Sequence, residues 1–220
     1  MDHYKLSNHL KQKADSIDNK RSSEYTCLSL LAGAAKLNES KAHAEIRIPQ
    51  LCNACNISRA TFYLHFNGKD ELMVRLMEHL TDLEHLLSPV HDASNTVEAT
   101  LRQIVNWYFS LHFYNGNLFL NLSILNWSDP RINALWMVRA EKLHDITYGL
   151  LSKHKEFRAL SPEYAQFAIE FVGSGMNSAI NRANSNSAKN PFIPEDIGVM
   201  TEYSVVVFYQ SLFGKLIPGN

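Results

Sequence analysis

Residues 48–72 read IPQLCNACNISRATFYLHFNGKDEL. Pro49 suits the first position of a helix, where its missing N–H costs nothing. That helix is short, running from Pro49 to about Cys55. Asn56 follows, a residue that tolerates left-handed geometry at a helix end. Ser58 is placed to cap a second short helix, Arg59 to about His65. Asn67-Gly68 makes a turn, and Lys69 or Asp70 opens a longer helix to about Leu87, with Pro89 beyond it. Two short helices joined by a tight turn are the geometry that delivers a second helix into a DNA major groove about 12 Å wide. Ile57 and Phe62 are the inward residues that lock the pair together. Arg59, Ala60 and Thr61 are the small or polar outward residues expected at base edges. Tyr63 and His65 are expected to donate to phosphates, with Lys69 at the start of the next helix. Such contacts position a protein on DNA and do not specify sequence.

Outward from this stretch the pattern is helical nearly throughout. Residues 1–20 are polar, with Lys5, Lys11, Lys13 and Lys20, and are expected to form a flexible arm with at most one helical turn. Residues 22–36 are a compact apolar stripe, broken by Leu37-Asn38-Glu39-Ser40. Asn95 and Glu98 are spaced as a capping box opening a helix to about Tyr114. Asn115-Gly116-Asn117 reads as a turn, and a short apolar helix covers Leu118 to Asn126. Asp129-Pro130 starts a long helix to about His154, and Ser161-Pro162-Glu163 another to about Asn184. Asn184 to Asn190 is a polar loop, and Pro194-Glu195-Asp196 opens a last helix that stops near Gly214. No segment alternates with period two, and no internal repeat appears. The expected fold is all-α with about nine helices. The expected division is an arm at 1–20, a three-helix helix-turn-helix domain at 21–68, a connecting helix at 69–90 and a helical bundle at 91–220.

Composition bounds the rest. With 220 residues, 45% hydrophobic and 20% charged, the chain can bury a full core without disulfides or metal. No apolar run reaches the ~18 residues of a membrane span. The opening MDHYKLSNHLKQKADS has no apolar region, so no secretory leader is expected, and three cysteines suit a reducing, cytoplasmic setting. Net charge is −1, split as +2 over residues 1–72 and −3 over 73–220. That asymmetry permits a DNA-facing end without establishing one.

From Leu51 to Leu72 the sequence resembles the signature of the tetracycline-repressor (TetR) family. Ile57 and Ser58 fit its Val-Ser pair, Phe62-Tyr63 its apolar-Tyr pair, and Phe66, Lys69, Glu71 and Leu72 the remainder. The resemblance covers about residues 22–75. There are departures. Cys52 and Cys55 stand where the family usually has Ala, and Asn56 where it has Gly. Arg47 falls where a small hydroxyl residue often caps the first helix of the motif, and Leu64 where a polar residue is common. The resemblance implies a homodimeric repressor that binds a double-stranded DNA operator. The DNA-binding set it implies is Arg47, Gln50, Ser58, Arg59, Ala60, Thr61, Tyr63, Leu64, His65 and Lys69. It further implies a small-molecule site in the C-terminal domain and a dimer interface made by the last two long helices. Val172-Gly173-Ser174-Gly175-Met176 and the broad apolar face of Val199, Tyr203, Val206, Val207, Gln210 and Phe213 are compatible with that interface.

Residues 104–137 are dense in aromatics, as a pocket for an apolar or aromatic effector would be. The candidates are Trp107, Tyr108, His112, Phe113, Trp127 and Trp136, with His144 and Met176 from the helices that follow. Aromatics at helical spacing are also ordinary core, and both readings stay open. Cys52-x-x-Cys55 is a lone pair without a second pair or matching histidines, which is weak support for metal or redox chemistry. His79, His85 and His91 recur every six residues and spread around a helix. Gly173-x-Gly175 lacks the offsets of a dinucleotide site or a nucleophile elbow. No catalytic constellation, cofactor or metal site is expected. A same-fold architectural protein without ligand, and a helical binding module that has lost DNA contact, remain as alternatives.

Overall fold

The computed structural model describes residues 2–184 and 196–214, and these are helical without a strand. In chain order the α-helices are α1 (Leu6–Asp15), α2 (Ser23–Asn38), α3 (Ile48–Ala54), α4 (Arg59–His65), α5 (Lys69–Leu86), α6 (Val97–Leu125), α7 (Pro130–Leu151), α8 (Lys155–Arg158), α9 (Pro162–Asn184) and α10 (Ile197–Phe213). Two compact units emerge, and they do not follow chain order. One is Met1–Leu86 with Tyr114–Trp136, and the other is Leu87–Phe113 with Met137–Asn220.

In the first unit the expected flexible arm is corrected. Residues 6–15 form α1, which packs on α2 and α5 and buries Leu6, Leu10 and Ala14. Those three recur every four residues, one helical face, and the surrounding lysines masked the stripe. Asn115 ties the start of α1 down: its side chain accepts from Leu6 N at 2.9 Å and donates to the Tyr4 carbonyl at 2.7 Å. The opposing core comes from α2 (Leu28, Leu30, Leu31, Ala34) and α5 (Leu72, Met73, Leu76, Met77, Leu80).

The expected turn at 115–117 is a single break. Asn115 leaves helical geometry (φ −124°, ψ 21°), and α6 continues on either side of it. Beyond the break, Asn117 and Asn121 lie one turn apart and grip the loop that leads into α3. Asn117 Nδ2 donates to the carbonyls of Asn38 (2.7 Å) and Lys41 (2.9 Å). Asn121 Nδ2 donates to Asn38 Oδ1 (2.7 Å) and Lys41 O (2.9 Å), while its oxygen accepts from His43 N (3.0 Å). Asn121 is buried and Asn117 half-buried, and amides bonded in this way fix one loop path, because a lost partner would strand a desolvated group.

The second unit has one core. Val97, Leu101, Ile104, Val105 and Phe109 of α6 meet Leu150 and Leu151 of α7, Phe157 of α8, Ala165, Ile169, Val172 and Met176 of α9, and Val205, Phe208 and Leu212 of α10. Caps set the helix ends. Thr96, not Asn95, caps α6, since its hydroxyl accepts from Ala99 N at 3.2 Å, and Asn95 instead donates to Gln103. Ser161 caps α9 and Asp196 caps α10. Gly214 ends α10 in the left-handed conformation (φ 62°), as a C-terminal glycine should. The helix expected to reach His154 stops at Leu151, and a further short helix, α8, follows. Beyond Asn184, the stretch to Asn190 and the start at Pro194 lie outside the described residues.

Candidate nucleic-acid interface

The α3–α4 pair is built as its residue pattern requires. Asn56 takes positive φ (51°), which lets the chain turn within three residues. Ser58 Oγ accepts from Thr61 N at 3.0 Å and caps α4. Phe62 and Phe66 are buried, with ring centroids 5.8 Å apart, and seat α4 on the unit beneath. Gly33 of α2 permits close packing of α3, because a Cβ there would sit 2.7 Å from Cys55 Sγ. Pro49 stands at the second residue of α3, and Arg47 is the N-cap without a side-chain cap bond. Gln50 Oε1 reaches back to Arg47 N at 2.9 Å and supplies half of a capping box.

The entry loop is held from the other side by α5. Lys69 Nζ donates to the carbonyls of His43 (2.9 Å) and Ile46 (3.4 Å), and His43 Nε2 lies 2.8 Å from Asp70 Oδ1. Lys69, expected as a phosphate contact, therefore spends two of its three donors on the fold.

Arg47, Ser58, Arg59, Ala60, Tyr63 and Leu64 are exposed, while Gln50, Thr61, His65 and Lys69 are half-buried. Arg47, Arg59 and Lys69 line one open depression of about 410 Å³, with Ile46, Pro49 and Tyr63 between them. Among the described residues, neither Arg47 nor Arg59 has a side-chain hydrogen bond or ion pair. A signal missed in the whole-domain charge lies here. No acidic residue occurs from Ile46 to Lys69, in a chain that carries 22 of them, and this window holds three lysines and arginines. A shorter window would have found it. A segment with cations and no carboxylates suits a polyanion.

The candidate small-molecule residues scatter. Trp127 is 90% exposed after the end of α6, and Phe113 is also exposed. Trp136 belongs to the first unit and is half-buried. Trp107, Tyr108, His112, His144 and Met176 fall in the second unit. Tyr108 and Met176 are part of its core, and Tyr108 donates from its hydroxyl to Asn177 Oδ1 at 3.2 Å. The rings of Tyr108 and His112 are tilted by 35°, with centroids 4.2 Å apart. His112 is fully buried. Its Nδ1–H donates to the Tyr108 carbonyl (2.9 Å), so Nε2 is the acceptor facing Arg139 Nη2 at 3.4 Å. Burial, then the charge of Arg139, hold this imidazole neutral well below the usual histidine range. Trp107 is buried, and its indole N–H has no acceptor among the described residues.

The thiols are quiet. Burial, aided by Cys52, pushes Cys55 up to about 11, and burial also raises Cys27. A protonated thiol is a poor nucleophile and metal ligand. Among the described residues no group of His, Cys, Asp or Glu is placed to hold a metal ion, and no helix is long and apolar enough to cross a membrane.

Comparison with known proteins agrees with this geometry. Residues 30–76 match the family model for bacterial regulatory proteins of the tetR family. The HTH-type transcriptional regulator EthR of Mycolicibacterium smegmatis is 24% identical over 201 residues, spanning 87% of this chain and 88% of that protein. The crystal structure of a TetR transcriptional regulator family member from Streptomyces coelicolor A3 shares the fold. It has a TM-score of 0.51 and 17% identity, and covers 86% of this chain and 91% of that one.

Proposed function

We propose that this chain is a DNA-binding transcriptional regulator of the TetR family that works as a homodimeric, ligand-relieved repressor of a palindromic operator. The observation that carries the reading is the acid-free segment from Ile46 to Lys69, whose three cations line one depression beside α4. In this reading 21–68 is the DNA-reading domain, 69–90 the connector and 91–220 the ligand and dimerisation domain, acting in the cytoplasm. Arg59 reads a base edge. Arg47, Tyr63 and His65 hold phosphates.

Dimerisation is supported by an apolar face on α9 and α10 that is exposed among the described residues: Tyr164, Phe167, Phe171, Tyr203 and Val207. A two-fold pair would bury this patch against itself and set two α4 helices on half-sites about 34–36 Å apart. The effector is an apolar molecule with one hydrogen-bond acceptor. Trp107 supports this, because an indole N–H buried without a partner costs about 1–3 kcal/mol until something accepts from it. Tyr108, His112 and Met176 stand with Trp107 as the proposed lining. Helices α6 and α7 each have residues in both units; α6 breaks at Asn115, so α7 is the proposed route by which a shift at one end reaches the other. The effector can move the equilibrium only by its differential affinity for the two states.

The test is recovery of sheared DNA from the source genome by the purified protein, followed by sequencing. An enriched inverted repeat supports the reading, and recovery without enrichment overturns it. Compounds that raise the unfolding temperature should release the recovered operator. A library in which none does either would remove the ligand-relieved part.

A further inference from the structure

We propose that α4 reads its operator largely through the C5-methyl groups of thymine, with Leu64 as the specificity-determining residue and Arg59 as the one hydrogen-bonding reader. This rests on the DNA-binding reading above. The polar groups of the motif are mostly engaged within the fold. The Ser58 and Thr61 hydroxyls lie 2.9 Å apart in the α4 cap, and Ser58 Oγ takes the Thr61 N–H. Gln50 Oε1 accepts from Arg47 N, and Lys69 donates to two carbonyls. What α4 presents outward is Arg59, Ala60, Tyr63 and Leu64. Ala60 and Leu64 are one helical turn apart and share a strip, and Leu64 is 83% exposed.

An exposed leucine by itself is unremarkable. This one lies on the helix that must enter the groove, inside the acid-free segment. Its isobutyl group offers no donor or acceptor. Set against a guanine edge or a cytosine amino group, it would strip water from polar atoms and return nothing. Set against thymine, it meets the one apolar group the major groove displays. Leu64 thus favours A·T pairs by attraction and disfavours G·C pairs by stranding their polar edges. A guanine read by Arg59 next to a thymine-containing step is the expected half-site.

The experiment uses the full-length protein. A sequence is first selected from a random duplex library, and each thymine of the half-site is then replaced by deoxyuridine, which removes only the methyl. Binding is measured at one fixed salt concentration. One or two positions should lose about fourfold each, the worth of one buried methyl group. Leu64→Ala should bind thymine and uracil duplexes equally at those positions, with unchanged helical content. Replacing cytosine by 5-methylcytosine at a disfavoured C·G position should improve binding by the wild type and not by Leu64→Ala. Uracil without effect at every position, or a methyl effect that survives in Leu64→Ala, overturns the assignment while leaving DNA binding intact. A library yielding no enriched sequence overturns the DNA reading and the assignment with it.

Discussion

The molecule carries two exposed apolar faces, and their neighbours separate them. On α4, Leu64 and Tyr63 project beside Arg59, and no carboxylate occurs from Ile46 to Lys69. On α9 and α10, Tyr164, Phe167, Phe171, Tyr203 and Val207 project near the exposed acids Glu163 and Glu170, with Glu202 paired to Arg102. Arg182 is the one cationic side chain described on those two helices, near the end of α9. The first face attracts a polyanion. The second offers no such cations and suits an apolar surface. Equal hydrophobicity therefore says little about the partner, and the charge around it says much.

The largest way to break this contrast is Phe171→Asp. Phe167 and Phe171 stack at 5.9 Å and are both about two-thirds exposed. Under two-fold symmetry the substitution places two carboxylates in one desolvated patch, at a cost of several kcal/mol. Dimer dissociation should rise at least about a hundredfold, read by light scattering across a concentration series. Operator affinity should fall with it, because one half-site is then bound at a time, while helical content stays. A variant that remains dimeric would remove the second face from the comparison. Arg59→Ala follows in size. Losing a two-bond contact to guanine should cost about 1–3 kcal/mol and flatten preference at one base pair. Uniform weakening over all sequences would make Arg59 a phosphate contact instead.

The first face was legible in the sequence and the second only in part: Tyr203 and Val207 belong to the apolar face expected on the last helix, whereas Tyr164, Phe167 and Phe171 of α9 were not expected at the surface. Short-range chemistry explains why. Asn56, Ser58 and Phe62 each act within a few residues, so their turn, cap and inward roles follow from the local string. The helix α1 was missed because its stripe of Leu6, Leu10 and Ala14 lies in a mostly polar stretch, with Lys11 and Lys13 facing water between them. The bonds of Lys69 within the fold were not legible because its partners, the carbonyls of His43 and Ile46, lie 26 and 23 residues away. The aromatics of 104–137 read as one cluster along the chain. The fold sends Phe109 to a core, Trp127 to solvent and Trp136 to the other unit. Periodicity marks which side of a helix is apolar and does not tell which neighbour covers it.

The contrast extends to where cations are kept. Arg59 is displayed, whereas Arg139 of the second unit is 3% exposed and faces a neutral His112. Protonating His112 would put a second positive charge in that interior. Its proton is held less tightly in the folded chain than in the unfolded one, whose histidine titrates near 6.5. Stability is then fully present above that pH and is lost as pH falls below it. The slope has a ceiling of about 1.4 kcal/mol per pH unit for one group. His9, His79 and His154 are also lowered, chiefly by burial, and act in the same direction. Unfolding midpoints from pH 7.5 to 5 should therefore fall, and less steeply in His112→Gln. Identical slopes in both proteins would mean that His112 is not the interior group being charged.

The smallest effect separates two cations of the DNA face itself. Arg47 is exposed with no side-chain partner among the described residues, whereas Lys69 is tied to two carbonyls of the entry loop. A free guanidinium beside a phosphate displaces about one counterion, so Arg47→Ala should weaken every sequence alike. It should also reduce the slope of log affinity against log salt by about one. Lys69→Ala should change that slope less and instead lower stability by about 1 kcal/mol, since two buried-side carbonyls lose a charged donor. Titrations at several salt concentrations and an unfolding curve for each variant tell the two roles apart. If Lys69→Ala carries the full change in slope without a stability cost, its ammonium must leave the loop for the phosphate when DNA arrives. The depression shared by Arg47, Arg59 and Lys69 would then be a site that reorganises on binding, not one held ready before it.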